Sequence, residues 1–181
     1  MNNQKRAVFL DRDGVVNRAV PREGFELPTS PFSLKEFEIF SWVPEALALL
    51  KEMNFLRILV SNQPDVRKGF VTQEEWQAMQ DKVEELGFDR VFICPHLTED
   101  RCDCKKPKPG MLLDAAKIFD LDLPRCYMIG DTLADTGAAR RAGCKSILIR
   151  APYNLGVKGD YVCKNLLDAV HLIQKLERRI E

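Results

Sequence analysis

Short apolar runs alternate with amphipathic stretches along the chain. Ala7-Val8-Phe9-Leu10 is continuously apolar, the pattern of a strand covered on both faces. From Trp42 to Asn54, Val43, Ala46, Leu47, Leu50 and Met53 recur at helical spacing, and Pro44 suits a first turn. Phe55–Val60 predicts a second strand running out into Ser61-Asn62-Gln63. Thr72-Gln73-Glu74-Glu75 has the form of a capping box opening a helix to about Leu86, closed by Gly87. A strand over Arg90–Cys94, a cysteine-rich loop to Lys106 and a helix from Pro109 to about Phe119 follow. The pattern then predicts strands at Cys126–Ile129, Lys145–Ile149 and Tyr161–Cys163. Helices are predicted at Leu133–Ala142, closed by Gly143, and from Asn165 to about Arg179. Strands alternating with helices, several of them uninterrupted apolar runs, predict an α/β fold with a mainly parallel sheet and helices on both faces. Ligands of such sheets bind beyond the carboxyl ends of the strands, near the switch in strand order.

One segment stands outside this rhythm. The stretch 18–41 has three prolines, Pro21, Pro28 and Pro31, and little periodicity. It reads as a long loop, either a lid or binding segment or an irregular surface excursion. No repeat or linker interrupts the rest, so residues 1–181 are expected to form a single domain. Lys+Arg and Asp+Glu both count 27, so no global field favours nucleic acid or a membrane, and no aromatic-basic run marks a nucleic-acid surface. The polar start Met1–Arg6 and the lack of a spanning segment lead us to expect a cytoplasmic protein, and we expect a monomer. Six cysteines in such a chain suggest reduced thiols or a metal site, and only Cys94, Cys102 and Cys104 cluster. Cys126, Cys144 and Cys163 read as small core residues and His171 as a surface or boundary residue.

The strand ends carry the candidate chemistry. Asp11 and Asp13 follow the first strand, with Gly14 allowing a sharp turn; Ser61-Asn62 follow the second; Lys105-Lys106 precede a helix; Asp131 follows Gly130. Each alone could be a turn, a cap or a solvated charge. Together at successive strand ends they fit phosphoryl transfer through a carboxylate, which divides a difficult hydrolysis into two steps. Asp11 and Asp131 offer hard oxygens for Mg²⁺, and the Ser61 hydroxyl and Lys106 ammonium suit the phosphoryl oxygens. Asp13 could protonate the leaving alkoxide and then deprotonate water. Within Cys94-Pro95-His96 and Cys102-Asp103-Cys104, three thiolates and an imidazole form a Cys₃His set, the donor set of a closed structural zinc site. It would brace the polar loop 94–104 and hold the following lysine in place.

Asp11-x-Asp13-Gly14, Ser61-Asn62, Lys106-Pro107 and Gly130-Asp131-x-x-x-Asp135 resemble the four motifs of the haloacid dehalogenase superfamily, over residues 7–150. The resemblance implies a three-layer, Rossmann-like sheet without a large cap domain and a phosphoric monoester hydrolase. It implies Asp11 as nucleophile, Asp13 as general acid/base, Ser61 as phosphate donor and Lys106 as the neutralising cation. It places Mg²⁺ on Asp11, the Asp13 main-chain carbonyl and Asp131, with Asp135 in support. Arg12, Asn17, Asn62 and Lys105, beside these motifs, are the expected substrate contacts.

The cysteine set before Lys-Pro resembles the branch holding D-glycero-D-manno-heptose 1,7-bisphosphate phosphatases and histidinol-phosphate phosphatases. Pro109-Gly110-Met111 looks like the first group, and the short spacing from His96 to Cys102 looks like the second. The expected substrate is a small phosphorylated metabolite, the heptose bisphosphate ahead of histidinol phosphate. Pro64-Asp65, Lys105 and Thr132 depart from the branch, which usually has Ser-Gly or Asp-Gly, an arginine and a basic residue there. The stretch 19–31 also departs from the heptose enzymes' loop. A reading from another class is a non-catalytic zinc-stabilised binding module, against which the intact Asp11, Asp13, Ser61, Lys106 and Asp131 argue.

Overall fold

Every residue of β1 (Ala7–Leu10) is buried, and alternate side chains enter opposite sides of the sheet, as a strand covered on both faces requires. Val8 and Leu10 join the larger apolar core, while Ala7 and Phe9 join the smaller one. The structure is a computed structural model and describes residues 4–178. With β2 (Leu56–Asn62), β3 (Arg90–Cys94), β4 (Tyr127–Gly130), β5 (Lys145–Ile149) and β6 (Tyr161–Cys163), β1 builds one parallel sheet in the order β3-β2-β1-β4-β5-β6. The order reverses between β1 and β4, where Leu10 pairs with Leu59 on one side and Ile129 on the other. The crevice at their carboxyl ends is the switch point where doubly wound sheets bind ligands.

Helices α1 (Val43–Glu52), α2 (Gln73–Glu84) and α5 (Leu166–Glu177) bury their apolar residues in the larger core. Helices α3 (Gly110–Phe119) and α4 (Leu133–Ala142) cover the other face. In α1 the buried residues are Val43, Ala46, Leu47 and Leu50, the stripe expected from the sequence. Burying a leucine of this kind contributes about 1.5–3 kcal/mol, and Leu50→Ala would cost roughly 2–5 kcal/mol because it also leaves a cavity. The Asn165 side chain caps α5 by accepting the Asp168 N–H at 2.8 Å. Among the described residues no helix is long and apolar enough to cross a membrane.

The differences from expectation are local. β2 continues through Ser61 and Asn62, so these residues stand on the strand rather than after it. β4 starts at Tyr127 and takes in Gly130. Thr72 caps α2 by accepting from the Glu75 N–H at 3.2 Å, but the Glu75 carboxylate accepts from the Leu34 N–H at 2.5 Å and so ties down the 18–41 segment. That segment folds as a narrow ribbon, with Val20 and Thr29 exchanging main-chain hydrogen bonds of 2.8 and 2.9 Å. Single bridges of this kind are too short to leave a period-2 signal. Cys126 and Cys144 are buried, Cys163 is half-buried and His171 is exposed. Met1–Asn3 and the expected last helical residue, Arg179, lie outside the described residues.

Candidate active site

Asp11 leaves the end of β1 with its N–H bound to the Ile129 carbonyl of β4 at 3.0 Å, which sets it across the switch point from Asp131. Lys106 reaches in between Asp11 and Asp135. Its Nζ donates to Asp11 Oδ1 at 2.7 Å, Asp135 Oδ1 at 2.6 Å and the Val60 carbonyl at 2.7 Å, and the residue is only 4% exposed. Burial alone would lower the lysine's pKa, but Asp11 and Asp135 raise it above its ordinary value, so it stays charged. Three carboxylates against one ammonium leave excess negative charge. Burial, reinforced by Asp135 and Asp13 against Lys106, pushes Asp11 up to about 7. Burial and then Asp11 and Asp135 push Asp131 up to about 8, opposed by the Tyr153 hydrogen bond and Lys106.

This charge imbalance is what a divalent cation relieves, and the donor set fits one. Asp11, Asp131 and Asp135 can each bring an oxygen within 4.8 Å of the others. Asp131 Oδ1 is buried with no hydrogen-bond partner among the described residues, a cost of about 1–3 kcal/mol for a neutral group unless something occupies that direction. Asp135 differs: Oδ1 takes Lys106, and Oδ2 takes the Thr132 N–H at 2.9 Å and hydroxyl at 2.5 Å. Both its oxygens are engaged, so it supports the site from behind. Gly130 is required here, since a Cβ there would collide with the Asp135 side chain.

Asp13 stands beside this cage in a web of donors. Arg12 Nη2 reaches its carboxylate at 3.1 Å, Asn17 Nδ2 at 2.9 Å and Gln63 Nε2 at 2.6 Å. Gln63 Nε2 also donates to Ser61 Oγ at 2.9 Å, linking the Asp13 carboxylate to the hydroxyl that faces the cavity. Arg12 and Asn17 are each 0% exposed, so the structure corrects their assignment as substrate contacts. They hold Asp13 from below: the sharp turn at Gly14 folds Asn17 back onto it, and the buried Arg12 side chain lies against it near the Phe37 ring. Asn62 clamps Lys106, donating to its carbonyl and accepting its N–H, each at 3.0 Å. Lys105 also departs from expectation: its Nζ bonds the His96 carbonyl at 2.9 Å and so belongs to the neighbouring loop.

Cys94, His96, Cys102 and Cys104 converge at the end of β3. The Sγ atoms of Cys94 and Cys104 lie 3.2 Å apart, Cys102 is 3.7 and 3.4 Å from them, and His96 Nδ1 is 3.6 Å from Cys94 and 3.2 Å from Cys104. Four vertices about 2.0–2.3 Å from a common centre have edges of roughly 3.3–3.8 Å, so the set fits tetrahedral Zn²⁺. All three thiols are free of disulfides. Burial and then the two neighbouring thiols push Cys104 up to about 12, a crowding that a bound cation removes by taking thiolates.

A cavity of about 350 Å³ opens over Asp11, Asp13, Ser61, Lys106 and Asp131, roofed on one side by Leu27–Ser30 of the 18–41 ribbon. A neighbouring groove of about 480 Å³ runs between the ribbon tip and residues 64–70. The ribbon thus lines the site rather than wandering over the surface. Phe32 stacks on Phe70 with centroids 5.1 Å apart, and the Ser30 hydroxyl bonds Asp65, which ties the ribbon to the turn after β2. Pattern reading missed Gln63, Tyr153 and Asn154. Gln63 was signalled by its place next to Ser61-Asn62. The other two come from a loop after β5 with no local signature.

A HAD-hydrolase-like family model matches residues 103–169. The chain is 33% identical to a D-glycero-β-D-manno-heptose-1,7-bisphosphate 7-phosphatase of Haemophilus ducreyi, over 92% of this chain and 97% of that protein. It is equally, 33%, identical to the enzyme of the same name from Vibrio cholerae, over 92% of each. The crystal structure of the D,D-heptose 1,7-bisphosphate phosphatase of B. bronchiseptica, complexed with magnesium and phosphate, superposes with a TM-score of 0.79 at 30% identity, covering 95% of this chain and 99% of that one. With its motifs at the strand ends of a matching sheet, the chain belongs to the haloacid-dehalogenase-like hydrolases, in the family that contains these heptose bisphosphate phosphatases.

Proposed function

We propose that the chain is a Mg²⁺-dependent phosphatase that removes the 7-phosphate of D-glycero-D-manno-heptose 1,7-bisphosphate. The observation that carries the reading is the cage in which one buried lysine touches Asp11 and Asp135 while Asp131 keeps an oxygen unpartnered among the described residues. Lys106 engages Oδ1 of Asp11, leaving Oδ2, in a residue that lines the cavity, to attack phosphorus. As that P–O bond forms, the bond to the sugar oxygen breaks and Asp13 gives this oxygen its proton. Asp13, now a carboxylate, takes a proton from water, whose oxygen attacks the aspartyl-phosphate and releases inorganic phosphate and Asp11. Ser61 and Lys106 hold phosphoryl oxygens, Arg12, Asn17 and Gln63 keep Asp13 in place, and Asn62 keeps Lys106 in place. Mg²⁺, when bound by Asp11, Asp131 and the Asp13 carbonyl, supplies positive charge against the phosphoryl oxygens.

We read residues 1–181 as one domain with the zinc loop 94–104 inserted, acting as a monomer in the cytoplasm on a small phosphorylated metabolite. The names of the relatives support the heptose substrate. The short zinc loop, and a Lys105 turned toward the His96 carbonyl rather than the cavity, favour histidinol phosphate as the second reading. Steady-state phosphate release with both substrates and Mg²⁺ separates them. The heptose bisphosphate should lead in kcat/KM by about ten-thousandfold, the size of discrimination reached by a site built to hydrogen-bond its own substrate. A lead for histidinol phosphate reverses the substrate assignment. Asp11→Asn should lose at least about a thousandfold in kcat, as loss of a nucleophile does; activity equal to wild type sinks the mechanism.

A further inference from the structure

The two oxygens of Asp131 have different surroundings. Oδ2 accepts a hydrogen bond from the Tyr153 hydroxyl at 2.5 Å, while Oδ1 is buried with no partner among the described residues. Tyr153 stands in a single 3-10 turn after β5, Pro152–Asn154. The next residue, Asn154, is buried and donates to the Asp131 carbonyl at 2.7 Å and to the Ile149 carbonyl at 2.8 Å. One turn therefore grips Asp131 at main chain and side chain together. Gly14 makes room for the contact: a Cβ there would run into the Asp131 carboxylate and come within 3.1 Å of the Tyr153 oxygen. Thr132, next in sequence, gives both its donors to Asp135. Tyr153 is thus the side-chain donor that meets the Asp131 carboxylate among the described residues.

We propose that Tyr153 is a positioning residue that sets the cation preference of the site by leaving Asp131 a single free oxygen. Mg²⁺ demands a compact octahedron and takes one oxygen per carboxylate, whereas Ca²⁺ accepts roughly six to eight ligands and often both oxygens of one carboxylate. A carboxylate whose Oδ2 is held by a phenol offers two oxygens only by giving up that bond, which disfavours the larger ion. The inference rests on Asp131 being a metal ligand, as read above.

Calorimetric titration of Mg²⁺ and of Ca²⁺ into wild type and Tyr153→Phe, each dialysed free of both ions with zinc retained, tests it. The substitution keeps the ring and removes one hydroxyl, and a melting curve of the Mg²⁺-free protein checks that the fold is kept. We expect the variant to bind Mg²⁺ several-fold more weakly and Ca²⁺ as well as wild type or better. The ratio of the two affinities should then shift toward Ca²⁺ by about tenfold, the scale of one hydrogen bond to a charged group. Ca²⁺ should also inhibit phosphate release by the variant at a lower Ca²⁺ to Mg²⁺ ratio. An unchanged ratio, including an equal loss for both ions, overturns the proposal. Wild-type protein that binds neither ion overturns the metal reading itself and takes the proposal with it.

Discussion

Lys106, at the floor of the cavity, is 4% exposed and meets three acceptors at 2.6–2.7 Å. At the rim, Phe25, Leu27 and Phe70 are 44%, 52% and 43% exposed, and one hydroxyl-to-carboxylate bond, Ser30 to Asp65, joins the ribbon to the loop it faces. The floor hangs on the ends of β1 and β4, so its groups cannot move apart without breaking the sheet. The rim rests on single bridges and ring contacts, which open at little cost. Reacting atoms must be held to fractions of an ångström, whereas substrates must enter and leave. The contrast predicts that changes at the floor cost stability and turnover together, while changes at the rim act on substrate affinity.

The largest effect is expected from Lys106→Met. Removing an ammonium in contact with two buried carboxylates should cost about 3–5 kcal/mol of stability and at least about a hundredfold in kcat. Asp11 and Asp131 have pKa values raised by burial to about 7 and about 8, above the usual 3.8. In the Mg²⁺-free protein the folded state therefore binds more protons than the unfolded chain between about pH 4 and 8, and stability falls as pH rises through that window. Lys106 offsets part of this repulsion, so the variant's deficit should be largest at pH 8.5 and shrink at pH 5.5, as read by urea denaturation. A deficit equal at both pH values would assign the lysine to packing rather than charge.

Next in size is the loop between floor and rim. Cys102→Ser should lower zinc from about one ion per chain and reduce kcat by about tenfold, the scale of a lost supporting contact. The path is short, through Cys104 and Lys105 to Lys106, which Asn62 clamps from the other side. Metal analysis with unchanged zinc would refute the ligand assignment, and zinc loss with full activity would refute the bracing role.

The smallest effect belongs to the rim. Ser30→Ala removes the tie to Asp65 and should raise KM by about fivefold, near 1 kcal/mol, with kcat unchanged. A fall in kcat instead would mean that the ribbon positions the reacting groups and belongs with the floor.

The sequence was most legible where local pattern and site coincide. Continuous apolar runs placed the strands, and polar residues at their ends marked Asp11, Asp13, Ser61, Lys106 and Asp131 before any tertiary contact was known. The cysteine set was legible for a similar reason, since four ligands within eleven residues need only a loop to converge. Arg12 and Asn17 were misplaced because a residue beside a motif can face the cavity or lie under it. The fold decides which: the turn at Gly14 brings Asn17 back to Asp13, and the buried Arg12 side chain meets the same carboxylate. The ribbon 18–41 was legible as a loop but not as a wall of the site, because its contacts reach residues 65 and 75 far along the chain.

The sequence alone therefore determined the fold class, which polar residues stand at the strand ends and which four Cys and His residues converge, since each is written in periodicity or in spacing over a few residues. Tertiary structure decided which carboxylate oxygens stay free, which donors hold Asp13, and how Tyr153 and Asn154 come to grip Asp131 from more than twenty residues away. Those choices depend on strand order and on side chains meeting across the switch point, and nothing local in the chain encodes such meetings.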